Sequence, residues 1–275
     1  MQRDVVARMG WVGADGLVLV YALAPMLWLL SLSLKGAGTL GDQSFFPRDP
    51  TLENYRSLAD TDFVRPLINS LGICLISTAV ALLLGTMAAY AIARLRFPGK
   101  RSIIVLAALA ATFPQIALVI PLFKLESSLG ILDTWLGLVL PYVTFALPLT
   151  IYTLSAFFNQ IPRGLERAAM MDGATPYQVF RKVFVPLARP GIGTTAILVF
   201  IACWNDFIFA VSLTSPDGAR TVPAALADFT GTATFERPTT AIAAAAVLIT
   251  LPILAVVLAF QRRIVTGLTA GAVRG

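Results

Sequence analysis

Side chains that commonly do chemistry are scarce in this chain of 275 residues. Histidine is absent, which removes the commonest general base and metal ligand and argues against triad hydrolysis and zinc chemistry. A phosphate-binding loop of the form G-x-x-x-x-G-K followed by Ser or Thr is missing, because Gly99-Lys100 precedes Arg101 and lacks the upstream glycine. Acidic residues do not cluster as in a membrane-embedded enzyme. The chain is therefore predicted to be non-catalytic, and any ATP hydrolysis would need a separate subunit.

One group of polar side chains, Trp204-Asn205-Asp206, stands within a long apolar run. An ionisable residue in such a run is costly unless it is paired, and it is therefore a candidate for function. An aromatic face beside an amide and a carboxylate can contact and hydrogen-bond a polar ligand, which makes the three residues candidates for a substrate pathway. They would equally fit a polar patch that ties this helix to a neighbour, and both interpretations stay open.

The composition predicts a membrane protein. Hydrophobic residues make up 57% of the chain and charged residues 13%, with a mean hydropathy of +0.79, whereas soluble domains carry about a quarter charged residues. The apolar residues form runs long enough to cross a bilayer core of about 30 Å as helices. The six predicted spans are Gly16–Leu34, Asn69–Ala93, Ser102–Phe123, Thr134–Phe157, Gly191–Leu213 and Thr240–Phe260. The predicted fold class is an all-α integral membrane protein with six transmembrane helices.

The distribution of positive charge predicts the orientation of these helices. The N-terminus, the loops after the second and fourth helices and the C-terminus hold fourteen of the 21 Lys and Arg residues, and the other loops hold seven. Because basic residues are retained on the cytoplasmic side, both ends of the chain are predicted to be cytoplasmic. The chain then divides into an N-terminus (1–15), a transmembrane domain (16–260) with a long cytoplasmic loop (159–190), and a C-terminal tail (261–275).

The first apolar run has two interpretations. Ala22-Leu23-Ala24 is similar to the cleavage site of a secretory signal peptide. However, Pro25 follows directly, and the apolar run continues to Leu34, well beyond the length of a signal-peptide core. We therefore expect this helix to be a retained membrane anchor.

The long cytoplasmic loop is too polar to cross the membrane, and its turn and cap residues predict two short helices. Pro162 suits a helix start, and Gly173 suits the left-handed residue that ends a helix. Thr175 is then an N-cap, with Pro176 at the first helical position and Gln178 completing a capping box. The loop is therefore predicted to form a rigid helix–turn–helix.

Apolar residues share one face of the second short helix at three- and four-residue spacing: Phe180, Val183, Phe184 and Leu187. This apolar ridge, beside the basic Arg181 and Lys182, is shaped to be held by a partner protein. A pair of amphipathic helices lying on lipid headgroups is the alternative. A DNA-binding helix–turn–helix is disfavoured because two predicted spans tether the loop, so no nucleic-acid partner is expected.

The same loop resembles the EAA loop of permeases of ATP-binding-cassette (ABC) importers, whose pattern is Glu-Ala-Ala, three residues, Gly, nine residues, Ile-x-Leu-Pro. The matching residues are Ala168, Ala169, Gly173 and Pro186, and Val183 and Val185 are apolar replacements of the family's Ile and Leu. Arg167 occupies the position of the family's glutamate, and Glu166 stands one residue earlier. Either side chain could therefore take the role that the glutamate has in the family.

Further stretches are similar to the MalG-like sugar permeases over nearly the whole chain. They are Asn69-Ser70-Leu71, Arg96-Phe97-Pro98-Gly99, Trp204-Asn205-Asp206-Phe207, Gln261-Arg262-Arg263 and the tail from Gly267 to Gly275. The resemblance implies a type I ABC importer permease fold in the cytoplasmic membrane. It also implies import of a carbohydrate, with a disaccharide such as trehalose as the expected cargo.

The resemblance also implies partners and site residues. The partners are a second homologous permease subunit, two copies of an ATPase subunit that bind ATP and magnesium, membrane lipid, and a lipid-anchored extracytoplasmic binding protein that docks on the outer loops, especially residues 36–68. No cofactor or metal is expected on this chain. The residues implied in ATPase coupling are Glu166, Arg167, Ala168, Ala169, Asp172, Gly173, Thr175, Pro176, Phe180 and Pro186. A C-terminal tail reaching the ATPases by an irregular path would involve Gly267, Leu268, Thr269 and Gly271.

An ion-coupled secondary transporter is the alternative function. Such transporters usually have inverted repeats and several ionisable residues or broken helices at the membrane midplane. This sequence has no convincing internal repeat, and Asp206 is the single acidic residue in its predicted spans. The sequence therefore favours the ATP-driven importer.

Overall fold

The computed structural model describes the backbone of residues 2–36, 44–60, 63–228 and 239–272, and the side chains of residues 14–36, 44–59, 63–227 and 239–258. Those ranges are mostly helical. The helices are α1 (Gln2–Ser33), α2 (Glu53–Asp60), α3 (Val64–Arg94), α4 (Lys100–Thr112), α5 (Gln115–Leu129), α6 (Trp135–Gln160), α7 (Arg163–Met171), α8 (Pro176–Val179), α9 (Val185–Leu187), α10 (Arg189–Trp204), α11 (Ile208–Leu213), α12 (Val222–Asp228) and α13 (Thr239–Ala272). A π-helical segment, Phe180–Phe184, joins α8 to α9.

Four helices are long and apolar enough to cross a membrane: Ala14–Ser33 within α1, α3, α6, and Thr239–Leu258 within α13. Two further candidates are bent. The axes of α4 and α5 meet at 96°, and the helix from α8 to α9 meets α10 at 74°. The described residues thus contain four straight candidate spans, or up to six if each bent pair is one span. The helical membrane fold is confirmed, but two of the predicted spans are not continuous helices.

The predicted span Ser102–Phe123 is wrong as a single helix, because the chain breaks at Phe113 and Pro114. Phe113 has extended backbone angles, φ −70° and ψ 133°, and α5 begins after Pro114. A proline disfavours helical angles in the residue before it and has no N–H to donate to the preceding turn. Pro121 lies inside α5 without breaking it. The sequence marks both prolines, but only the structure shows which one separates two helices.

The predicted span Gly191–Leu213 is also wrong as a single helix. α10 ends at Trp204, and α11 does not begin until Ile208. Asn205 and Asp206 lie in the break, where the Asp206 carboxylate accepts a hydrogen bond from the backbone N–H of Ala210 at 3.2 Å. Asn and Asp side chains compete for backbone groups in this way, which is why they are poor residues for a helix interior.

Residues 65–225 and 253–275 form one compact unit, and α3 and α6 approach closely within it. A methyl group at Gly85 would lie 2.3 Å from Cγ2 of Thr150 on α6, so the contact requires glycine. Ala81 and Ala89, four residues on either side, are fully buried. The stripe of small residues on α3 therefore lies at a close helix–helix contact, as small residues do in membrane bundles.

Asp133 organises the segment after α11 in the same unit. Its carboxylate accepts hydrogen bonds from the backbone N–H groups of Ser215 at 2.9 Å and Ala219 at 3.0 Å, and from the Ser215 hydroxyl. Burial raises the pKa of Asp133, but these hydrogen bonds and the charge of Arg220 outweigh it and leave the pKa below its usual value. An ionised carboxylate thus holds residues 215–219 in place.

Residues 1–64 and 226–252 form a second compact unit. Within it, the segment before α2 folds back on the end of α1. The Asn54 side-chain amide donates to the carbonyls of Ser33 and Lys35, each at 2.8 Å. The Lys35 ammonium donates to the carbonyl of Ser44 at 2.7 Å. The described part of the loop between the first two predicted spans therefore has a defined local structure.

Candidate functional site

Within the long loop, α7 ends in a turn built around Gly173. Gly173 has a φ of +85°, a left-handed conformation that is unfavourable for residues with a Cβ. Its N–H donates to the carbonyl of Met170 at 3.1 Å, and the N–H of Ala174 donates to the carbonyl of Ala169 at 3.0 Å. These two bonds form a Schellman closure that satisfies carbonyls at the helix end. The predicted stop at Gly173 is confirmed.

The second short helix begins with the predicted capping box. The N–H of Gln178 donates to the Thr175 hydroxyl oxygen at 3.3 Å, and the N–H of Thr175 donates to the Gln178 side-chain oxygen at 2.8 Å. Pro176 occupies the first turn, where a missing N–H leaves no intrahelical bond unmade. Two residues therefore separate the glycine turn from the next helix, and both ends of the turn are closed by hydrogen bonds.

The sequence did not predict the π-helical segment. The N–H of Val185 donates to the carbonyl of Phe180, five residues back. Pro186 follows and has no N–H, so the regular α-helical bond to the carbonyl of Lys182 cannot form. A π-turn adds a residue to one helical turn and therefore changes which side chains share a face beyond it. Pro186 was the one signal in the sequence for this irregularity.

The apolar ridge of this helix packs on an aromatic cluster, with Phe184 buried and Phe180 and Val183 partly buried. The cluster consists of Ala89, Tyr90, Ala93, Leu154, Phe158, Val179, Phe184 and Ala188, with Phe180 and Val183 packed against it. The Phe184 ring centroid lies 5.0 Å from that of Tyr90 on α3 and 5.9 Å from that of Phe158 on α6. The prediction that a partner protein holds this ridge is therefore wrong for Phe184, which packs on the ends of two long helices. Leu187, the last residue of the ridge, is exposed.

Other side chains of the loop are exposed, and they include large apolar ones. Met171 is 88% exposed and Tyr177 is 64% exposed, and Leu165 and Met170 are exposed as well. The predicted coupling residues that are also exposed are Arg167, Ala168, Asp172, Gly173, Thr175 and Pro176. Ala169 and Phe180 instead pack against the aromatic cluster, and Pro186 is half-buried. Exposed apolar groups among charged ones are typical of a surface that contacts a protein partner or a membrane.

The two charged candidates in α7 have different environments. Glu166 is half-buried, and its charge acts on both Arg94 and Tyr90. Arg167 is exposed. Neighbouring residues of an α-helix point about 100° apart, so the two side chains cannot share a face. The structure therefore distinguishes an inward-placed acid from an outward-placed base, which the sequence could not do.

A cavity of about 890 Å³ lies among residues of α4, α6 and α10. α6 contributes a lining of aromatic and polar side chains: Tyr142, Phe145, Tyr152, Ser155 and Asn159. Lys100 and Gln115 add polar groups at other walls, and Asp206 lines the cavity beyond the end of α10. Polar side chains facing lipid would be unfavourable, so this lining is suited to a water-filled space or to a polar ligand.

The three predicted substrate-pathway residues occupy different environments. Trp204 is 2% exposed, and its ring lies 5.6 Å from that of Phe200, so neither ring face is open to the cavity. Asn205 is exposed, and its side-chain amide donates to the carbonyl of Ile201 at 2.8 Å. Asp206 accepts a hydrogen bond from the Tyr142 hydroxyl at 2.9 Å. Of the three, the structure brings Asp206 to the cavity, whereas Trp204 is part of the interior.

The predicted tail residues Gly267, Leu268, Thr269 and Gly271 belong to α13, whose backbone is helical to Ala272. The irregular path predicted for this part of the tail is therefore wrong, while the side chains of these residues and all of residues 273–275 lie outside the described part of the chain. Among the residues whose placement is described, no group of three or more Cys, Asp or Glu side chains could hold a metal ion.

Comparisons with known proteins agree with this architecture. Residues 81–269 match the family described as the binding-protein-dependent transport system inner membrane component. The chain is 59% identical over 266 residues to the trehalose transport system permease protein SugB of Mycobacterium tuberculosis (strain CDC 1551 / Oshkosh), covering 96% of this chain and 97% of that protein. It is 37% identical over 278 residues to the trehalose/maltose transport system permease protein MalG of Thermococcus litoralis (strain ATCC 51850 / DSM 5473 / JCM 8560 / NS-C), covering 100% of both chains.

Among solved structures, the chain matches a bacterial ABC transporter involved in the import of the acidic polysaccharide alginate. The TM-score is 0.77 at 22% identity, with 95% of this chain and 98% of that chain covered, and this likeness shows the shared fold. The fold, the sequence relatives and the matched family are therefore consistent with one another. This chain belongs to the inner membrane component family of binding-protein-dependent transport systems, the non-catalytic permease subunits of ABC importers in the cytoplasmic membrane.

Proposed function

We propose that this chain is a permease subunit of an ATP-driven importer that carries a disaccharide, with trehalose as its cargo. The observation that supports trehalose as the cargo is the 59% identity to a trehalose permease over 96% of the chain. The relative named for trehalose and maltose supports the same class of cargo at 37% identity. Both chain ends are proposed to be cytoplasmic, which places the loop with α7 and α8 on the side where ATP is available.

The construction of the loop supports its role in coupling. Its two short helices are joined by a turn with hydrogen bonds at both ends, so the loop can move as a unit. Phe184 of its apolar ridge is buried against α3 and α6, while Met171 and Tyr177 are exposed. A partner that grips the exposed side chains would therefore displace the ends of two long helices. ATP hydrolysis in a separate subunit could move the bundle through this connection.

Arg167 is proposed to meet the ATPase subunit, and Glu166 is proposed to act within this chain. The support is the exposure of Arg167 and the half-buried position of Glu166 near Arg94. A basic residue at this contact requires an acidic group on the surface of the ATPase subunit. The contact would then have a charge pattern opposite to the one that the family's glutamate implies.

The cavity is proposed to be part of the route of the sugar. Tyr142, Tyr152 and Asn159 recur along one side of α6, and Asp206 accepts a hydrogen bond from Tyr142. Hydroxyl, amide and carboxylate groups can exchange hydrogen bonds with sugar hydroxyls, and aromatic faces can lie against the sugar ring. The hydrogen bond between Tyr142 and Asp206 holds both groups at the wall. Trp204 is proposed to be structural.

The proposed complex follows the LpqY–SugABC trehalose importer. It contains a second, SugA-like permease subunit, two copies of a SugC-like ATPase subunit that hold ATP and magnesium, and an LpqY-like lipoprotein that delivers the sugar. The family description, which makes transport depend on a binding protein, supports the last partner. The binding protein is proposed to dock on the outer loops, especially residues 36–68.

Uptake of radiolabelled trehalose by proteoliposomes that contain this chain with those partners tests the proposal. We expect uptake to require both enclosed ATP and the binding protein, and to cease when the ATPase subunit cannot hydrolyse ATP. Uptake driven by a proton or sodium gradient without ATP would instead indicate an ion-coupled secondary transporter. ATP-dependent uptake of other disaccharides in preference to trehalose would contradict the cargo but not the coupling.

A further inference from the structure

Arg94, the last residue of α3, connects several elements through one guanidinium group. Its Nη2 donates hydrogen bonds to the backbone carbonyls of Phe158 and Ile161, at the end of α6. The same group lies over the Phe184 ring of the π-helical segment, with its central carbon 4.8 Å from the ring centroid. A single side chain therefore joins α3, the end of α6 and the second half of the loop.

The hydrogen bonds of Arg94 lie where α6 ends and the loop begins, so they can fix the orientation of the loop. The last carbonyls of a helix have no partner within the helix, and a cation there also interacts favourably with the helix dipole. By bonding to both Phe158 and Ile161, the guanidinium spans the point where α6 ends and the chain turns towards Pro162 and α7. It therefore holds the loop at a fixed angle to α6.

Tyr90 supports the same arrangement one turn earlier on α3. Its ring centroid lies 5.0 Å from that of Phe180 and 5.0 Å from that of Phe184 in the π-helical segment, and 6.2 Å from that of Phe158 on α6. The last turns of α3 and α6 and the π-helical segment are thus packed as one body. Arg94 lies at the edge of this aromatic cluster, with its guanidinium over the Phe184 ring.

Glu166 brings α7 into the same network. Its charge acts on Arg94, although no ion pair between the two residues is present within the described part of the chain. The Nε of Arg94 is buried and has no hydrogen-bond partner among the described atoms. An unpaired buried donor is unfavourable, so a carboxylate that came within hydrogen-bond distance of this N–H would be bound favourably. Arg94 thus keeps one N–H donor that its described hydrogen bonds do not use, and Glu166 is the acid of α7 whose charge acts on it.

We infer that Arg94 is a positioning residue that carries the displacement of the loop to α3 and α6, with Glu166 as its electrostatic partner on α7. This inference rests on the proposed ATP-coupled function. Arg94 is not among the residues that line the cavity, and it lies on α3, outside the exposed surface of the loop. Its loss should therefore leave ATPase docking and hydrolysis in place while weakening the transfer of motion into the bundle.

The test is the number of trehalose molecules imported per ATP hydrolysed by the reconstituted complex. We expect Arg94→Gln to lower this ratio by about tenfold, within the five- to 150-fold range of typical coupling between linked sites. Arg94→Lys should restore part of it, because an ammonium keeps the charge but cannot reproduce the planar fork. Arg101→Gln, at an exposed arginine of α4, is the matched control and should leave the ratio unchanged.

A purely structural role gives a different result. In that case transport and ATP hydrolysis would fall together with the amount of assembled complex, and an unchanged ratio would overturn the inference. If the complex with Arg94→Gln does not assemble, the test depends on Arg94→Lys, which should still lower the ratio. An unchanged ratio in Arg94→Lys would also overturn the inference. As a single substitution, Glu166→Gln should lower the ratio. Combined with Arg94→Gln, it should cause no further loss. Additive losses would refute the pairing, and absence of ATP-driven uptake by the unsubstituted complex would refute the proposed function itself.

Discussion

The glycine turn of the coupling loop allows a test in which the backbone is strained but no neighbour is touched. Gly173 has a φ of +85°, and no atom lies within 4 Å of the position that a Cβ would take. The cost of Gly173→Val therefore comes from the left-handed backbone alone, about 1–3 kcal/mol for a residue with a side chain. At about 1.4 kcal/mol per factor of ten, the equilibrium constant for forming the turn falls by about five- to 150-fold.

The assay is ATP-dependent trehalose uptake by the reconstituted complex, measured beside its rate of ATP hydrolysis. We expect Gly173→Val to insert and assemble normally, because the long helices are untouched, but to transport less sugar per ATP. Gly164→Val is the matched control, since Gly164 lies within α7 without a positive φ and also has open space around it. Gly173→Asn should recover part of the coupling because asparagine tolerates the left-handed conformation. Coupled uptake at the unsubstituted level in Gly173→Val would refute the requirement for this turn.

Other parts of the structure give further predictions. Thr175→Ala should destabilise the second loop helix by about 1 kcal/mol, seen as faster proteolysis of the loop, and Thr175→Ser should restore the cap. Gly85→Ala should lower the thermal stability of the complex, because its methyl group would meet Thr150, and Thr150→Ser should relieve part of that loss. The pKa of Asp133 is lowered in the folded chain, so its stabilising contribution should be complete above about pH 4 and lost as the pH falls further. Asp133→Asn should remove that part of the pH dependence of the melting temperature. Arg167→Glu should abolish trehalose-stimulated ATP hydrolysis, and Arg167→Lys should retain it.

Local chemistry was enough to predict the turn of the loop but not the surroundings of its second helix. The residues that close the turn, Gly173, Thr175 and Gln178, act on backbone groups within a few positions, so their roles follow from sequence spacing. Periodicity also showed that Phe180 and Phe184 lie near one face. It could not show whether a partner or this chain covers that face, because burial depends on residues distant in sequence.

For the long helices too, nearby residues predicted where the spans lie, but not where the helices break. Apolar runs predicted where the membrane-spanning segments lie, because a bilayer imposes a minimum length. They did not predict that Pro114 separates two helices while Pro121 leaves α5 intact, since neighbouring helices can compensate for a missing hydrogen bond. Trp204 was a candidate for sugar contact because of its type, yet packing against Phe200 makes it part of the interior.

α6 is the element that can connect the loop to the cavity. It is continuous from Trp135 to Gln160 despite two internal prolines, so a displacement at one end is carried along its length. Leu154 and Phe158 belong to the aromatic cluster, and Ser155 and Asn159, each one residue further along, line the cavity. Because adjacent residues are about 100° apart on a helix, any rotation that keeps the cluster in contact with a moving loop must also reorient the cavity wall. In the proposed mechanism, the geometry of this one helix links motion of the loop to a change in the cavity wall, and the ATPase subunit does not need to contact the cavity.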